Sequence, residues 1–388
     1  METLKTCEMV MKGHPDKLCD QIADAIMDEY YRHDQYAKTA IEVCASYKRI
    51  LIMGEVTSIY QFDIESLVRK VICEIGYDRD ELGFNGNTIS IDIDLHEQSS
   101  DIALGVDQSS DDMKEWGAGD QGMMYGYATN ETETYMPLPY VLTQKLAFSL
   151  EKAHEKLPYL RPDGKMQVTV LYSGKKPIKV TSIVLSTQHD EIDITKLRKE
   201  IKEYVIDPVI PKELINEDMM IQINPTGRFV IGGPVGDTGL TGRKIMVDTY
   251  GGIAHHGGGS FSGKDMTKVD RSAAYYARYV AKNVVAAKLC DECEIALSYA
   301  IGTSRPTMIQ VNTFGTEKIP VETIQKIIEE NFDFRPKHMI EELKLKEIPY
   351  FTLASYGHFG RNDQNLSYEK CDKVKQIQET LKRQQISL

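Results

Sequence analysis

No run in this sequence is apolar and long enough to cross a bilayer, and residues 1–12 (METLKTCEMVMK) lack the apolar core of a secretory signal. These two absences predict a cytoplasmic protein without a membrane partner. Excess basic charge is missing as well. Asp and Glu outnumber Lys and Arg by 58 to 46, and the net charge of −12 excludes a general nucleic-acid-binding face. There is no disulfide framework, because the seven cysteines (Cys7, Cys19, Cys44, Cys73, Cys290, Cys293, Cys371) are odd in number and scattered. Cys290 and Cys293 form a C-x-x-C, but no second pair follows at zinc-finger spacing. Cys290 also closes a long helical pattern, so the pair reads as structural thiols. No low-complexity linker divides the chain, so its domains are expected to be interleaved. What remains, 41% hydrophobic and 27% charged over 388 residues, suits a soluble globular protein of two or three domains.

Against that background one stretch stands out. Residues 224–270 crowd glycines between Arg228, Arg243, Lys244, Lys264 and Lys268. Tight turns would account for the glycines but not for five cations in so short a span. Backbone lying close against a polyanion, with cations neutralising it, accounts for both. Within the stretch, Gly258 to Asp265 nearly matches a phosphate-binding loop. Gly258, Gly263 and Lys264 fit, whereas Asp265 stands where a magnesium-holding hydroxyl is required. An ordinary nucleotide-triphosphatase loop is therefore excluded, and any metal needs other carboxylates, of which Asp16 and Asp270 are the obvious ones. Asp270 also suits a helix start beside Lys268.

GHPDK (13–17) precedes a helical stripe of Leu18, Ile22, Ala25, Ile26 and Tyr30. Pro15 suits the first turn and Asp16 the helix dipole. The dipole does not explain His14 and Lys17 on either side; the three together suggest a phosphate and metal site. Strand-like runs at 37–46 and 49–57 enclose Glu42 and Glu55. A helix is expected over 62–75 and a half-buried strand over 88–95. Residues 96–122 are long, polar and aperiodic, with 96–116 read as a lid, and they end in GAGDQG around Asp120. Then follow a helix near 139–154, strands near 165–172 and 179–187, a helix near 194–205 and a strand near 219–223. A helix near 268–288, strands near 294–299 and 307–313 and a helix near 321–330 complete the series. Helix, hairpin, helix thus recurs three times, starting near 16, 139 and 268. The pattern predicts an α/β (α+β) fold of three units, each a sheet covered by helices on one face, packed around a common centre.

GHPDK, GAGDQG, NPTGRFVIGGPVGDTGLTGRKIMVDTYGG, HGGGSFSGKD and KVDRSAAYYARYVAKN together resemble S-adenosylmethionine synthetase, in order, from about Cys7 to Gly360. The resemblance implies three similar domains about a pseudo-threefold axis. Residues 1–12 with about 123–230 would form the central domain, 13–122 the N-terminal and 231–388 the C-terminal domain. It implies a homotetramer, a dimer of dimers, with sites shared between chains. The substrates would be ATP and L-methionine. The methionine sulfur attacks C5′ of ATP, releasing triphosphate that is then hydrolysed to pyrophosphate and phosphate. Two Mg²⁺ per site and K⁺ are the implied ions.

Carried over motif by motif, His14, Lys165, Arg243, Lys244 and Lys264 would contact the triphosphate, with His14 next to the breaking bond. Asp16 and Asp270 would hold magnesium; Glu42 matches the potassium position and Glu8 stays in register. Glu55, Gln98, Asp237 and Lys268 match methionine-site positions. Asp163, Gly164, Arg228, Phe229, Asp237 and Ser260 match ATP contacts, and Asp120 an active-site acid. Lys12 stands where the family usually has glutamate, and Ser260 where alanine is common, which touches metal and potassium dependence rather than the reaction. Two rivals remain. A magnesium-dependent kinase would transfer the terminal phosphate instead. A catalytically dead nucleotide-binding regulator fits poorly with an intact set of His14, Asp16, Lys165 and Lys264.

Overall fold

A computed structural model describes residues 2–97, 109–112 and 114–386. Its strands in chain order are β1 (Glu2–Val10), β2 (Lys38–Ser46), β3 (Arg49–Thr57), β4 (Ser90–His96), β5 (Gly122–Thr129), β6 (Leu160–Ser173), β7 (Lys176–His189), β8 (Met220–Ile223), β9 (Gly239–Leu240), β10 (Glu292–Tyr299) and β11 (Met308–Asn312). Its α-helices are α1 (Pro15–His33), α2 (Ile64–Ile75), α3 (Leu138–Ala153), α4 (Ile194–Ile201), α5 (Ile245–Asp248), α6 (Val269–Ala286), α7 (Val321–Asn331), α8 (Pro336–Glu342) and α9 (Val374–Arg383). The chain divides into two compact units. One takes the chain up to His96 with Leu138–Ile253 and Pro349–His358; the other takes Glu97–Pro137, Ala254–Ile348 and the chain from Phe359.

The first unit holds two four-stranded sheets, ordered β4-β3-β2-β9 and β1-β6-β7-β8; the second holds one, ordered β11-β10-β5. All three follow one plan. A hairpin (β2–β3, β6–β7, β10–β11) forms the centre, and its first strand takes an antiparallel partner from a distant part of the chain: β9, β1 or β5. Behind two of the hairpins a further strand runs parallel, β4 on β3 and β8 on β7. Helices precede and follow each hairpin: α1 and α2, α3 and α4, α6 and α7. The repeat expected from spacing is therefore present three times, as sheets with helices packed on them.

In the first sheet, alternation decides which face is covered. Thr39, Ile41, Val43 and Ala45 are buried beneath α1, and Ile50 and Ile52, their cross-strand neighbours, are buried beside them, each Val or Ile contributing roughly 1.5–3 kcal/mol. The expected stripe of α1 is buried, but so are Asp16, Lys17, Asp20, Gln21 and Asp24 between its members. Charges sealed on all sides of a helix must be paired.

Two expectations shift in detail. α4 stops at Ile201 and continues as a π-turn over Lys202–Ile206, so the helix read over 194–205 is not one regular element. α6 ends at Ala286, capped by Ala287, and Lys288 has a φ of +66°, so Cys290 lies beyond the helix rather than closing it. Its thiol is buried, and Cys293 is free as well.

The second unit depends on one cation. Arg278 of α6 is fully buried and donates to the carbonyls of Tyr127, Tyr135 and Thr134 at 2.7, 2.9 and 2.8 Å. It also meets the Glu369 carboxylate at 3.0 Å, which Lys282 shares at 2.7 Å. Arg278→Leu is expected to lower the unfolding free energy by about 3–5 kcal/mol in a urea titration, because it takes one of two cations from the buried Glu369 carboxylate and a donor from three carbonyls at once. Arg32→Leu, which removes an exposed pair with Glu29, is expected to cost less than about 1 kcal/mol.

Candidate active site

The start of α1 is the centre of one cluster, in the first unit. His14 caps the helix, with Nδ1 accepting from the Asp16 amide at 3.2 Å. The remaining ring hydrogen therefore sits on Nε2. Burial, then the nearby Lys244 ammonium, pushes the imidazole down to about 4, so it is neutral at pH 7. Asp16 accepts from the Leu240 amide at 3.0 Å and from Lys244 Nζ at 2.6 Å, with Arg243 Nε 3.8 Å away. Burial opposes its ionisation, yet these hydrogen bonds hold its carboxyl below its ordinary value. On the adjoining sheet, Val10 pairs with Lys165, and Lys165 Nζ meets Glu8 at 2.6 Å. Asp163 is buried, receives the Gly233 amide at 2.8 Å, and is pushed up to about 6 by burial.

One glycine of the stretch has a packing duty of its own. A Cβ on Gly239 would fall 2.2 Å from the Pro15 carbonyl oxygen, so the glycine brings its own backbone flush against the helix start. Lys17 departs from expectation. Its side chain is fully enclosed, bonded to Asp20 at 2.9 Å and to Asp248, so it does not join His14 and Asp16 as a phosphate-facing cation.

A second cluster surrounds the start of α6, in the other unit. Lys264 Nζ meets Asp270 Oδ2 at 2.6 Å, and a Cβ on Gly259 would lie 2.5 Å from Asp270 Oδ1. Asp265 explains the broken loop motif. It is wholly buried, accepts from the Thr267 amide at 2.8 Å and from Lys268 Nζ at 2.7 Å, and so folds the loop instead of facing phosphate. Burial works against its charge, but Lys268 and Thr267 hold the carboxyl below its ordinary value. Nearby His256 is lowered by burial.

The other predicted positions are more dispersed. Arg228 is exposed and bonds Glu191, its Nε at 2.9 Å. The Phe229 amide donates to His189 Nε2 at 3.1 Å. Gly164 follows Asp163 on β6, and the Asp237 amide donates to the Gly233 carbonyl at 3.1 Å. Glu42 and Glu55 lie on neighbouring strands, Glu55 being 3.5 Å from His96. In the second unit, Asp120 accepts its neighbour's amide, Gln121 N, at 2.7 Å, and Ser260 is half-buried. Gln98 and most of the expected lid lie outside the described residues. Of its end, Ser110 donates to the Gly302 carbonyl at 2.8 Å and Glu115 pairs with Arg335 at 2.7 Å; just beyond it, Ala118 donates to the Thr303 carbonyl at 2.8 Å. A cavity of about 670 Å³ in this unit, lined by Phe332, Phe334, Arg335, His338 and Lys373 among others, holds none of the predicted residues.

Among the described residues, no three of His, Cys, Asp and Glu gather as a metal-binding set. Asp16 and Asp270 fit magnesium in one way, a single carboxylate completed by phosphate oxygens and water. The sequence reading passed over Asp20, Asp248 and the role of Asp265. The spacing of Asp16, Asp20 and Asp24 at four residues, which stacks them on one helical face, was the available signal.

Three family models match the chain in succession: S-adenosylmethionine synthetase N-terminal domain over residues 2–100, central domain over 115–229 and C-terminal domain over 231–370. The chain is 54% identical over 386 residues to the S-adenosylmethionine synthase of Finegoldia magna, covering 97% of this chain and 98% of that one. It is 50% identical over 387 residues to the S-adenosylmethionine synthase of Clostridium botulinum, covering 97% and 99%.

The His14 environment predicts a pH dependence. Its folded pKa lies below the unfolded value of about 6.5, so on acidification the unfolded chain takes the proton first and stability is lost between about pH 6.5 and 4. Asp163, raised on folding to about 6, acts with the opposite sign as pH falls. The difference in unfolding free energy between wild type and His14→Asn isolates the histidine and is expected to shrink as pH drops from 6.5 to 4. A difference independent of pH would mean the imidazole titrates normally.

Proposed function

The chain belongs to the S-adenosylmethionine synthetase family, and on that premise we propose how its residues make S-adenosylmethionine from ATP and L-methionine. The reaction forms a bond from a methionine sulfur lone pair to C5′ and breaks the C5′–oxygen bond, whose electrons leave with triphosphate. No proton is removed from a thioether, so no general base is needed. The difficulty is alignment and a highly charged leaving group.

One observation carries the reading: lysines of the glycine-rich stretch stand on helix-start aspartates, Lys244 on Asp16 and Lys264 on Asp270. Such pairs can exchange partners, the lysines turning to phosphate as the aspartates take magnesium. Arg243, Lys165 and Lys264 complete the triphosphate contacts, each charge contact amounting to about 3–4 kcal/mol of barrier. His14, neutral and carrying its hydrogen on Nε2, donates to the leaving oxygen beside C5′ without adding charge. Asp163, Gly164, Arg228, Phe229 and Ser260 meet the adenosine side. Glu55, Gln98, Asp237 and Lys268 meet methionine, and Asp120 serves as an active-site acid. Bound magnesium, two ions per site, supplies neutralisation of the charge developing on the phosphates. Glu42 is the potassium position, with Glu8 beside Lys165.

The proposal includes a cytoplasmic homotetramer of two dimers, sites shared between chains, and the three interleaved domains read from the sequence. Support for a covering chain comes from the face of the first sheet opposite α1. Ala40, Cys44, Leu51 and Met53 are only half-buried there, and Leu240 is 37% exposed. Apolar sheet surface of this kind is what obligate interfaces cover.

Incubation with ATP, methionine, Mg²⁺ and K⁺ should give a methionine-dependent sulfonium product; transfer of labelled terminal phosphate to an acceptor would favour a kinase instead. His14→Ala is expected to lose synthesis by about 10²–10³ while hydrolysis of added triphosphate persists. Equal loss of both would mean general damage to the phosphate site. Mixed dimers of His14→Ala and Lys264→Ala should regain activity well above either alone if the two residues serve one site from different chains. A fully active monomer would sink the shared site.

A further inference from the structure

Segment 240–248 carries Arg243 and Lys244, and three ties to buried side chains of α1 hold it there. The Leu240 amide donates to Asp16, the Gly242 amide to Asp20 Oδ1 at 2.9 Å, and Asp248 receives Lys17. Arg243 and Lys244 lie between the second and third ties. Lys17 is the peg at the far end. Its Nζ joins Asp20, which already holds Gly242, to Asp248, which closes α5 and whose amide bonds back to the Lys244 carbonyl at 3.0 Å. None of the three side chains is more than 4% exposed, and, unlike Asp16 with its Lys244, their charges are paired with one another rather than with a residue read as facing the ligand.

The same device recurs on α6. Superposing the two helix starts on Asp16 and Asp270 sets Lys17 against Arg271, which is also fully buried. Arg271 Nη1 donates to the Lys264 carbonyl at 3.1 Å, and Lys264 is the lysine that stands on Asp270. In both helices the cation following the aspartate grips the segment that delivers a lysine to that aspartate. The remaining, middle repeat begins Leu138-Pro139-Tyr140 and carries no acid in its first turn. There the device is missing together with the Asp–Lys pair it would serve, which ties its presence to the site rather than to the fold.

We propose that Lys17 is a positioning residue, which through Asp20 and Asp248 fixes Arg243 and Lys244 for triphosphate while touching no substrate itself. This rests on the reading of Arg243 and Lys244 as triphosphate contacts. The test is a double-mutant cycle on the full chain, with inorganic imidotriphosphate, whose P–N–P bridges resist the hydrolysis, titrated by calorimetry into wild type, Lys17→Met, Lys244→Ala and the double variant. Lys17→Met is expected to weaken binding about ten- to a hundredfold. The double variant is expected to bind no worse than the weaker single one, because a misplaced Lys244 and a missing one are equivalent. If Lys17→Met does not fold, the near-isosteric Asp248→Asn takes its place in the same cycle. Undiminished affinity in the Lys17 or Asp248 variant, or losses that multiply in the double, would overturn the positioning role. Undiminished affinity in Lys244→Ala would overturn instead the reading of Lys244 as a phosphate contact.

Discussion

Buried charge must be matched by opposite charge, and much of this molecule is arranged to satisfy that constraint. Across α1 and α6, Asp16, Lys17, Asp20, Arg271 and Arg278 lie almost wholly out of water. An unpaired ion in such surroundings costs several kcal/mol, so each is bonded to a group brought from elsewhere in the chain. That need draws the glycine-rich segment onto the start of α1 and holds β5 and the turn before α3 onto α6. The pairing that stabilises each unit also sets the lysines and aspartates of the site.

The chemistry benefits from the same arrangement. A leaving triphosphate requires cations already in place, because charges that must reorganise during the reaction stabilise less than charges fixed beforehand. The backbone that carries these lysines is tied down beforehand, Gly242 on Asp20 and the Lys264 carbonyl on Arg271, so that only the ammonium groups need turn, and the neutral His14 adds a donor without another charge. Asp265 shows the limit of motif matching: a carboxylate that would repel phosphate in a standard loop is harmless once it is turned inward onto Lys268 and Thr267.

Much of the scaffold was legible because its signals are local. The three hairpins and their flanking helices announce themselves through apolar spacing within windows of a dozen residues. β1, β5 and β9 gave no such signal. Each is an outer strand whose partner lies far along the chain, as with Cys7 against Val168 or Gly126 against Ile295, and short-range periodicity carries no record of such pairing. The end of α4 was misjudged for a related reason: the pattern continues into 202–206 although the hydrogen bonding changes to a π-turn.

The sequence by itself determined the family, the reaction and the identity of the charged residues, because motif order and residue chemistry survive without coordinates. It also pointed to Asp16 and Asp270 as acids suited to the starts of two helices of the repeat. Only the tertiary structure decided what each charge faces. Lys17 and Asp16 are neighbours in one short motif, yet one is sealed on Asp20 and Asp248 while the other meets Lys244. Adjacent residues on a helix point about 100° apart, so a motif fixes which groups are near one another along the chain. Burial and long-range packing choose which of them meets the ligand.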